Sequence, residues 1–174
     1  RWQFLPEDLK RFSTSDEPIP IGYGQTMSAP HMVALMLELL DIKEGQNILE
    51  VGTGTGWNTA LLAELAGPKS SVVTIEYVKE LYDFSKDCLE KYFNVKCINA
   101  DGKSGYGKGA PYDRIIVACA ASQIPKALQD QLKDGGVILM PIGSVIVQQL
   151  VKGIKKGRWI EKENHGTCRF VPLV

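Results

Sequence analysis

The sequence predicts an α/β protein with a doubly wound, mostly parallel sheet that is extended by antiparallel C-terminal strands. Three observations predict it. From Asn47 onward, short β-rich runs alternate with runs of helical period, the pattern of parallel strands joined by crossover helices. One hydrophobic run passes directly into a glycine-rich turn at Gly52–Gly56 and then into a helical run. Beyond Gly143, strand-like runs follow one another with no helix between them. At 174 residues the chain suits one domain with a sizeable core. Within it we expect a covering segment over residues 1–27, an α/β core over 28–143 and antiparallel strands over 144–174.

The elements follow in order. Glu17 to Thr26 holds too much Pro and Gly for regular structure and reads as a long loop, which usually has a job. Ala29 to Leu40 places Val33, Met36, Leu37 and Leu40 on one helical face, with Ser28 as its natural N-cap and Pro30 in its first turn. Expected strands are Asn47 to Val51, Val72 to Glu76, Val95 to Asn99, Arg114 to Ala118 and Val137 to Met140, each apolar enough to be covered on both faces. Expected helices are Trp57 to Ala66, Val78 to Tyr92 and Pro125 to Leu132. Val145 to Val151, Gly157 to Ile160 and Arg169 to Val171 read as the antiparallel strands, with Lys152 to Lys162 as a solvated hairpin.

Composition excludes several classes. Hydrophobic residues make up 44% and charged residues 23%, a globular mixture and not a disordered, collagenous or disulfide-scaffold one. Lys+Arg 20 against Asp+Glu 20 leaves no excess positive field to hold a polyanion, so no nucleic-acid partner is expected. Apolar stretches such as Met32 to Leu37 are far shorter than the roughly 20 residues that span a bilayer, and no membrane partner is expected. Cys88, Cys97, Cys119 and Cys168 show neither a C-x-x-C pair nor a His at ligand spacing; they read as free thiols, with no metal site.

The chemistry is written at strand ends. Gly52, Gly54 and Gly56 fall in the spacing G-x-G-x-G, with Glu50 two residues before the first, and all four are expected to bind a cofactor. A dinucleotide fingerprint starting at Gly52 needs glycine where Trp57 stands. The observed spacing is instead that of S-adenosylmethionine-dependent methyltransferases, a Rossmann-like fold. Glu76 ends the next strand twenty residues after Gly56, where a carboxylate accepts both ribose hydroxyls of an adenosine group. The third strand leads to Asp101, placed to accept from the adenine amino group, and Gly102, which lets the ring lie near the backbone; Asp-Gly is also an ordinary turn pair.

Other segments narrow the reaction. After the fourth strand the chain reads Ala118-Cys119-Ala120-Ala121, without the amide, prolines and aromatic that base N-methylation uses, and without a proline before Cys119 for C5 methylation. Cys119 reads as a small apolar filler. His31 sits in the first turn of its helix and His165 reads as a turn residue, so neither is assigned as a general base.

Pro18-Ile19-Pro20-Ile21-Gly22-Tyr23-Gly24-Gln25-Thr26-Met27-Ser28-Ala29-Pro30-His31 resembles the protein-L-isoaspartate (D-aspartate) O-methyltransferases. The resemblance continues through Leu49 to Trp57, Ala110 to Val117, Gln131 to Gly136, Met140 to Gly143 and Phe170 to Leu173. It implies a cytoplasmic repair enzyme that methylates the free α-carboxylate of L-isoaspartyl residues in damaged proteins and peptides, using S-adenosyl-L-methionine and releasing S-adenosyl-L-homocysteine. The ester then collapses to a succinimide, and hydrolysis returns some aspartate. Carried across residue by residue, Ser28 matches the active-site serine. Gln25, Thr26, Met27 and Ser28 match the segment lining cofactor and substrate, Gly52, Thr53, Gly54 and Gly56 the cofactor loop, Glu76 the ribose ligand, and Asp101 with Gly102 the adenine contacts. Members usually carry a further helical segment before the part matching Phe4 to Glu7. A different methyltransferase of the same fold and an inactive cofactor-binding protein remain open at this point.

Overall fold

The computed structural model describes residues Arg1–Leu173; the last position of the C-terminal segment lies outside them. A seven-stranded sheet runs through the molecule in the order β5-β4-β3-β6-β7-β8-β9. Its parallel part is β3 (Asn47–Val51), β4 (Ser71–Glu76), β5 (Val95–Asn99), β6 (Tyr112–Val117) and β7 (Leu132–Gly143). Helices α2 (Trp57–Ala66), α3 (Lys79–Leu89) and α4 (Lys126–Gln131) lie in the crossovers. The antiparallel strands β8 (Gln148–Lys156) and β9 (Trp159–Cys168) complete the sheet. The doubly wound class expected from the alternation is therefore the observed one. Because the chain builds β3, β4 and β5 outward and then returns to place β6 beside β3, strand order reverses between β3 and β6, the place where open α/β sheets leave a crevice.

Both faces of the sheet are dry. Leu49, Val73, Ile115 and Ile138 pack on one side, and Ile48, Val72, Ile116 and Leu139 join Met36, Leu40 and Leu62 on the other. Adjacent residues of one strand thus feed opposite layers, which is why these strands read as continuous apolar runs.

Several expectations are corrected. Glu17 to Thr26 is not wholly irregular: β1 (Ile19–Gly22) and β2 (Gln25–Met27) form an antiparallel hairpin, its turn carried by positive φ at Gly22, Tyr23 and Gly24. Ser28 is not the N-cap of α1 (Pro30–Leu40). Ala29 holds that position in an extended conformation with no side-chain cap, because the residue before a proline is pushed out of the helical region. The three C-terminal strand runs become two longer strands. Val145 to Val147 form a turn, and Arg169 to Val171 lie outside the strands, next to a single bridge between Pro172 and Ala120. His165 lies within β9 and not in a turn, at a register shift where Gly166 takes φ +98°. Among the described residues no disulfide joins the four cysteines, no helix is long and apolar enough to cross a membrane, and no cluster of three or more His, Cys, Asp or Glu could hold a metal.

Candidate active site

A cavity opens at the reversal of strand order, against the C-terminal ends of β3, β4 and β6. Its floor is the glycine turn. Gly52 and Gly54 take φ +94° and +56°, and a Cβ on Gly54 would stand 3.5 Å from Ile21 Cδ1, which belongs to the covering hairpin. Glycine supplies these left-handed angles without strain and keeps the floor open. Gly102 is held against Val51, whose Cγ1 occupies the place a Cβ would take.

Glu76 ends β4 with 6% of its surface exposed. Its Oε2 accepts from the Gly54 N–H at 2.8 Å and its Oε1 from the Val78 N–H at 2.9 Å. Burial pushes its pKa up, and the backbone donors oppose that shift. Each oxygen keeps a further acceptor position for a ligand hydroxyl.

Glu50 has a different place. It is fully buried behind the glycine turn and takes no part in the cavity wall. Its Oε1 accepts from Asn58 Nδ2 at 2.7 Å, and its Oε2 from Thr74 Oγ1 at 2.7 Å and from Thr59 Oγ1. Thr74 also shares a 2.6 Å hydrogen bond with Thr53. Glu50 therefore ties β3, β4 and the start of α2 together under the turn. Desolvation raises its pKa to about 7, against the three donors that favour the carboxylate.

Gln25, Thr26, Met27 and Ser28 roof the cavity from β2 and its exit. The expected site residues thus divide. Gln25, Thr26, Met27, Ser28, Gly52, Thr53, Gly54, Glu76 and Gly102 share one wall, whereas Glu50, Gly56 and Asp101 stand off it. Gly56 is the N-cap of α2, its Cα face packed on Leu89. Asp101 is exposed, and its Oδ1 accepts from the Lys103 N–H at 2.8 Å, the turn role open to any Asp-Gly pair.

Sequence reasoning assigned no site role to the aliphatic tail or to Arg1. Val171, Pro172 and Leu173 line the cavity, held by 2.8 Å hydrogen bonds in which Ala120 N donates to Val171 O and Leu173 N to Ala120 O. Such residues carry no chemical signal beyond the family resemblance. Arg1 reaches across the roof, donating to the carbonyls of Glu17 at 2.7 Å and Ser28 at 3.2 Å and to that of Ser15. A lone arginine far away in sequence gives no warning of this.

The family model described as Protein-L-isoaspartate(D-aspartate) O-methyltransferase matches residues 1–174. The chain belongs to this family. A protein-L-isoaspartate O-methyltransferase of Pyrococcus horikoshii is 48% identical over 178 residues, covering 100% of this chain and 80% of the relative. A solved structure named protein-L-isoaspartate O-methyltransferase superposes with TM-score 0.89 at 28% identity, over 99% of this chain and 57% of that one. A Plasmodium falciparum structure named as a beta-aspartate methyltransferase of this kind, in complex with S-adenosyl-L-homocysteine, superposes with TM-score 0.87 at 29% identity, over 100% of this chain and 85% of that one.

The protein-L-isoaspartate O-methyltransferase site of this chain fits such a cofactor on its own geometry. The Glu76 carboxylate is aimed at the cavity with acceptor capacity to spare, the glycine floor is free of side chains, and Val51, Ile75 and Val78 offer an apolar wall for a flat ring.

Proposed function

We propose that this cavity carries out methyl transfer from S-adenosyl-L-methionine to the free α-carboxylate of L-isoaspartyl residues in damaged proteins and peptides, the first step of repair through a succinimide to aspartate. The observation that carries the reading is the placement of Glu76, Gly52–Gly54 and the Thr26–Ser28 roof around one cavity in a chain matched from end to end by the family model. When bound, the cofactor supplies an activated methyl on a sulfonium.

The chain's residues bind and orient. Glu76 accepts ribose hydroxyls, and Gly102 meets the ring from the cavity wall. Asp101, exposed one residue before Gly102, serves the adenine amino group from the rim. Glu50 acts on the cofactor through the shape of the glycine turn that it braces, and Gly56 through the start of α2. The hydroxyls of Thr26 and Ser28 face the acceptor from the roof, with Ser28 the catalytic contact.

No strong base is required. An acceptor carboxylate, with a reference pKa of about 4, is already an anion at neutral pH. Cys119, also on the wall, is no base because burial pushes its thiol up to about 12. Alignment of nucleophile, methyl and sulfur can supply on the order of 7 kcal/mol of the barrier. Neutral hydroxyls suit the task, since a cationic clamp would stabilise acceptor charge that is spent in the transition state. The balanced net charge and the scattered cysteines support a cytoplasmic setting with damaged proteins and peptides as partners and no nucleic acid.

The test is transfer from labelled cofactor to an isoaspartyl peptide and to its aspartyl twin. Discrimination should far exceed the roughly 1–3 kcal/mol that one methylene contributes. Equal methylation of both points to a generic methyltransferase, and binding without transfer to a cofactor-binding protein.

A further inference from the structure

The turn between β7 and β8 points three consecutive aliphatic side chains into solvent: Val145 is 78% exposed, Ile146 91% and Val147 57%. Single exposed aliphatic residues are ordinary, whereas an adjacent group of them marks a contact surface. The turn is built to hold them there. Ser144 Oγ accepts from the N–H groups of Ile146 and Val147, both at 3.2 Å, and Ser144 N donates to the Val147 carbonyl at 2.9 Å. From Gly143 to Val151 there is no charged side chain. At the other end of β8, Lys156 closes the strand, paired with Glu161 of β9, and Arg158 lies in the turn between them. The charged end of β8 is thus the one away from the tip.

The aliphatic end is the one continuous with the cavity. Gly143 N donates to the Ala121 carbonyl at 3.0 Å, and Ile142 bridges Ala121. Ala120, the next residue back, holds Val171 and Leu173 on the cavity wall through both of its backbone groups. The tip thus stands at the C-terminal ends of the parallel strands, the same end as Glu76, and is joined to the cavity wall through the backbone of Ala120 and Ala121.

Resting on the reading of this cavity as the methyl-transfer site, we infer that the Val145–Ile146–Val147 tip docks aliphatic side chains of the polypeptide that flanks the isoaspartyl residue. The acceptor arrives within a chain, and that chain must leave the mouth across the rim. A rim element without charge and with ordered aliphatic side chains selects neighbours by apolar contact, and damaged segments expose side chains that intact proteins bury. A second copy of this chain is the poorer occupant, because three side chains cover far less than the roughly 1,000 Å² that a specific interface needs.

The experiment replaces the tip by Val145→Thr, Ile146→Asn and Val147→Thr together; because the three are exposed, circular dichroism and unfolding should match the wild type. Two isoaspartyl peptides with the same core are compared, one flanked by Leu and Val, the other by Ser and Gly. The wild type should favour the aliphatic peptide by about tenfold in kcat/KM, carried by KM, the size of effect that a small apolar contact gives. The variant should lose that preference while keeping its kcat on the polar peptide and its Kd for S-adenosylmethionine. A variant that retains the preference, or that loses activity on both peptides alike, overturns the inference. So does a wild-type dimer in sedimentation that the substitutions dissociate, which would make the tip a self-contact. If the wild type methylates neither peptide, the methyl-transfer reading fails first and the inference falls with it.

Discussion

Arg1 holds Ser28 by its backbone: Nη2 donates to the Ser28 carbonyl at 3.2 Å while the guanidinium carbon lies 5.3 Å from the centre of the Trp57 ring. Trp57 begins α2 directly after the glycine turn, so one side chain joins the roof to the floor of the cavity. With the Ser15 and Glu17 carbonyls also engaged, Arg1→Met should cost about 1–3 kcal/mol of stability in urea unfolding and raise KM for the peptide. Arg1→Lys should recover only part of this, because a single ammonium cannot reproduce the planar fork. Equal KM values in wild type and Arg1→Met would show that the roof holds without it.

Ser28 lines the cavity and caps no helix, so the hydroxyl proposed to meet the substrate has no capping role. Ser28→Ala should change stability by no more than about 0.5 kcal/mol, the range of substitutions that break no structural feature. Losing a donor to a charged acceptor should cost roughly 1.5–3 kcal/mol in the transition state, a tenfold to hundredfold fall in kcat/KM, with cofactor affinity unchanged. Ser28→Gly should behave the same way. Full turnover by either variant would move the role to Thr26.

Glu76→Ala removes the proposed acceptor for ligand hydroxyls and leaves the Gly54 and Val78 N–H groups without their partner. Calorimetry should show S-adenosylmethionine binding weakened by about 2–4 kcal/mol. An unchanged affinity in a folded variant would take Glu76 out of the site. Glu76→Gln should fall between, keeping acceptor atoms but losing the charge.

Glu50 controls a pH dependence. Its pKa is raised in the folded state to about 7, from an ordinary value of 4.5. Between those pH values the folded protein binds more protons than the unfolded chain, so this group's contribution to stability falls as pH rises from 4.5 to 7 and then levels off. Glu50→Gln removes the titration. Its amide can keep the Asn58 bond, and the Thr74 hydroxyl can turn to accept while donating to Thr53. Urea midpoints at pH 5 and pH 8 should therefore lie closer together in Glu50→Gln than in wild type. Parallel profiles would place the titrating group elsewhere.

Much of the site was legible because its signals are local. The run Ile48–Val51, the glycines at 52, 54 and 56 and the helix from Trp57 form one strand–turn–helix unit whose positive-φ positions only glycine takes freely. Strand-end residues such as Glu76 could then be read from spacing. The same local logic misread the β7–β8 turn. Val145 to Val147 have the composition of a buried strand, yet Ser144 satisfies their backbone within a turn and leaves them in solvent. It also set Glu50 in the cavity, since spacing from the glycines does not reveal which way a strand residue faces.

The sequence alone determined the α/β class, the order of the parallel elements and the glycine turn, because each is a pattern within a few tens of residues that steric rules and hydrophobic period impose, and the family, because its matching segments recur along the chain. Tertiary structure decided which residues meet. Only sheet order brings Ala118 beside Gly52, only the return of the C-terminal tail through Ala120 puts Leu173 on the wall, and only the fold of the first thirty residues lets Arg1 reach Ser28. The reason is physical: these contacts join segments far apart in sequence, and the packing that positions them exists only once the whole sheet has formed.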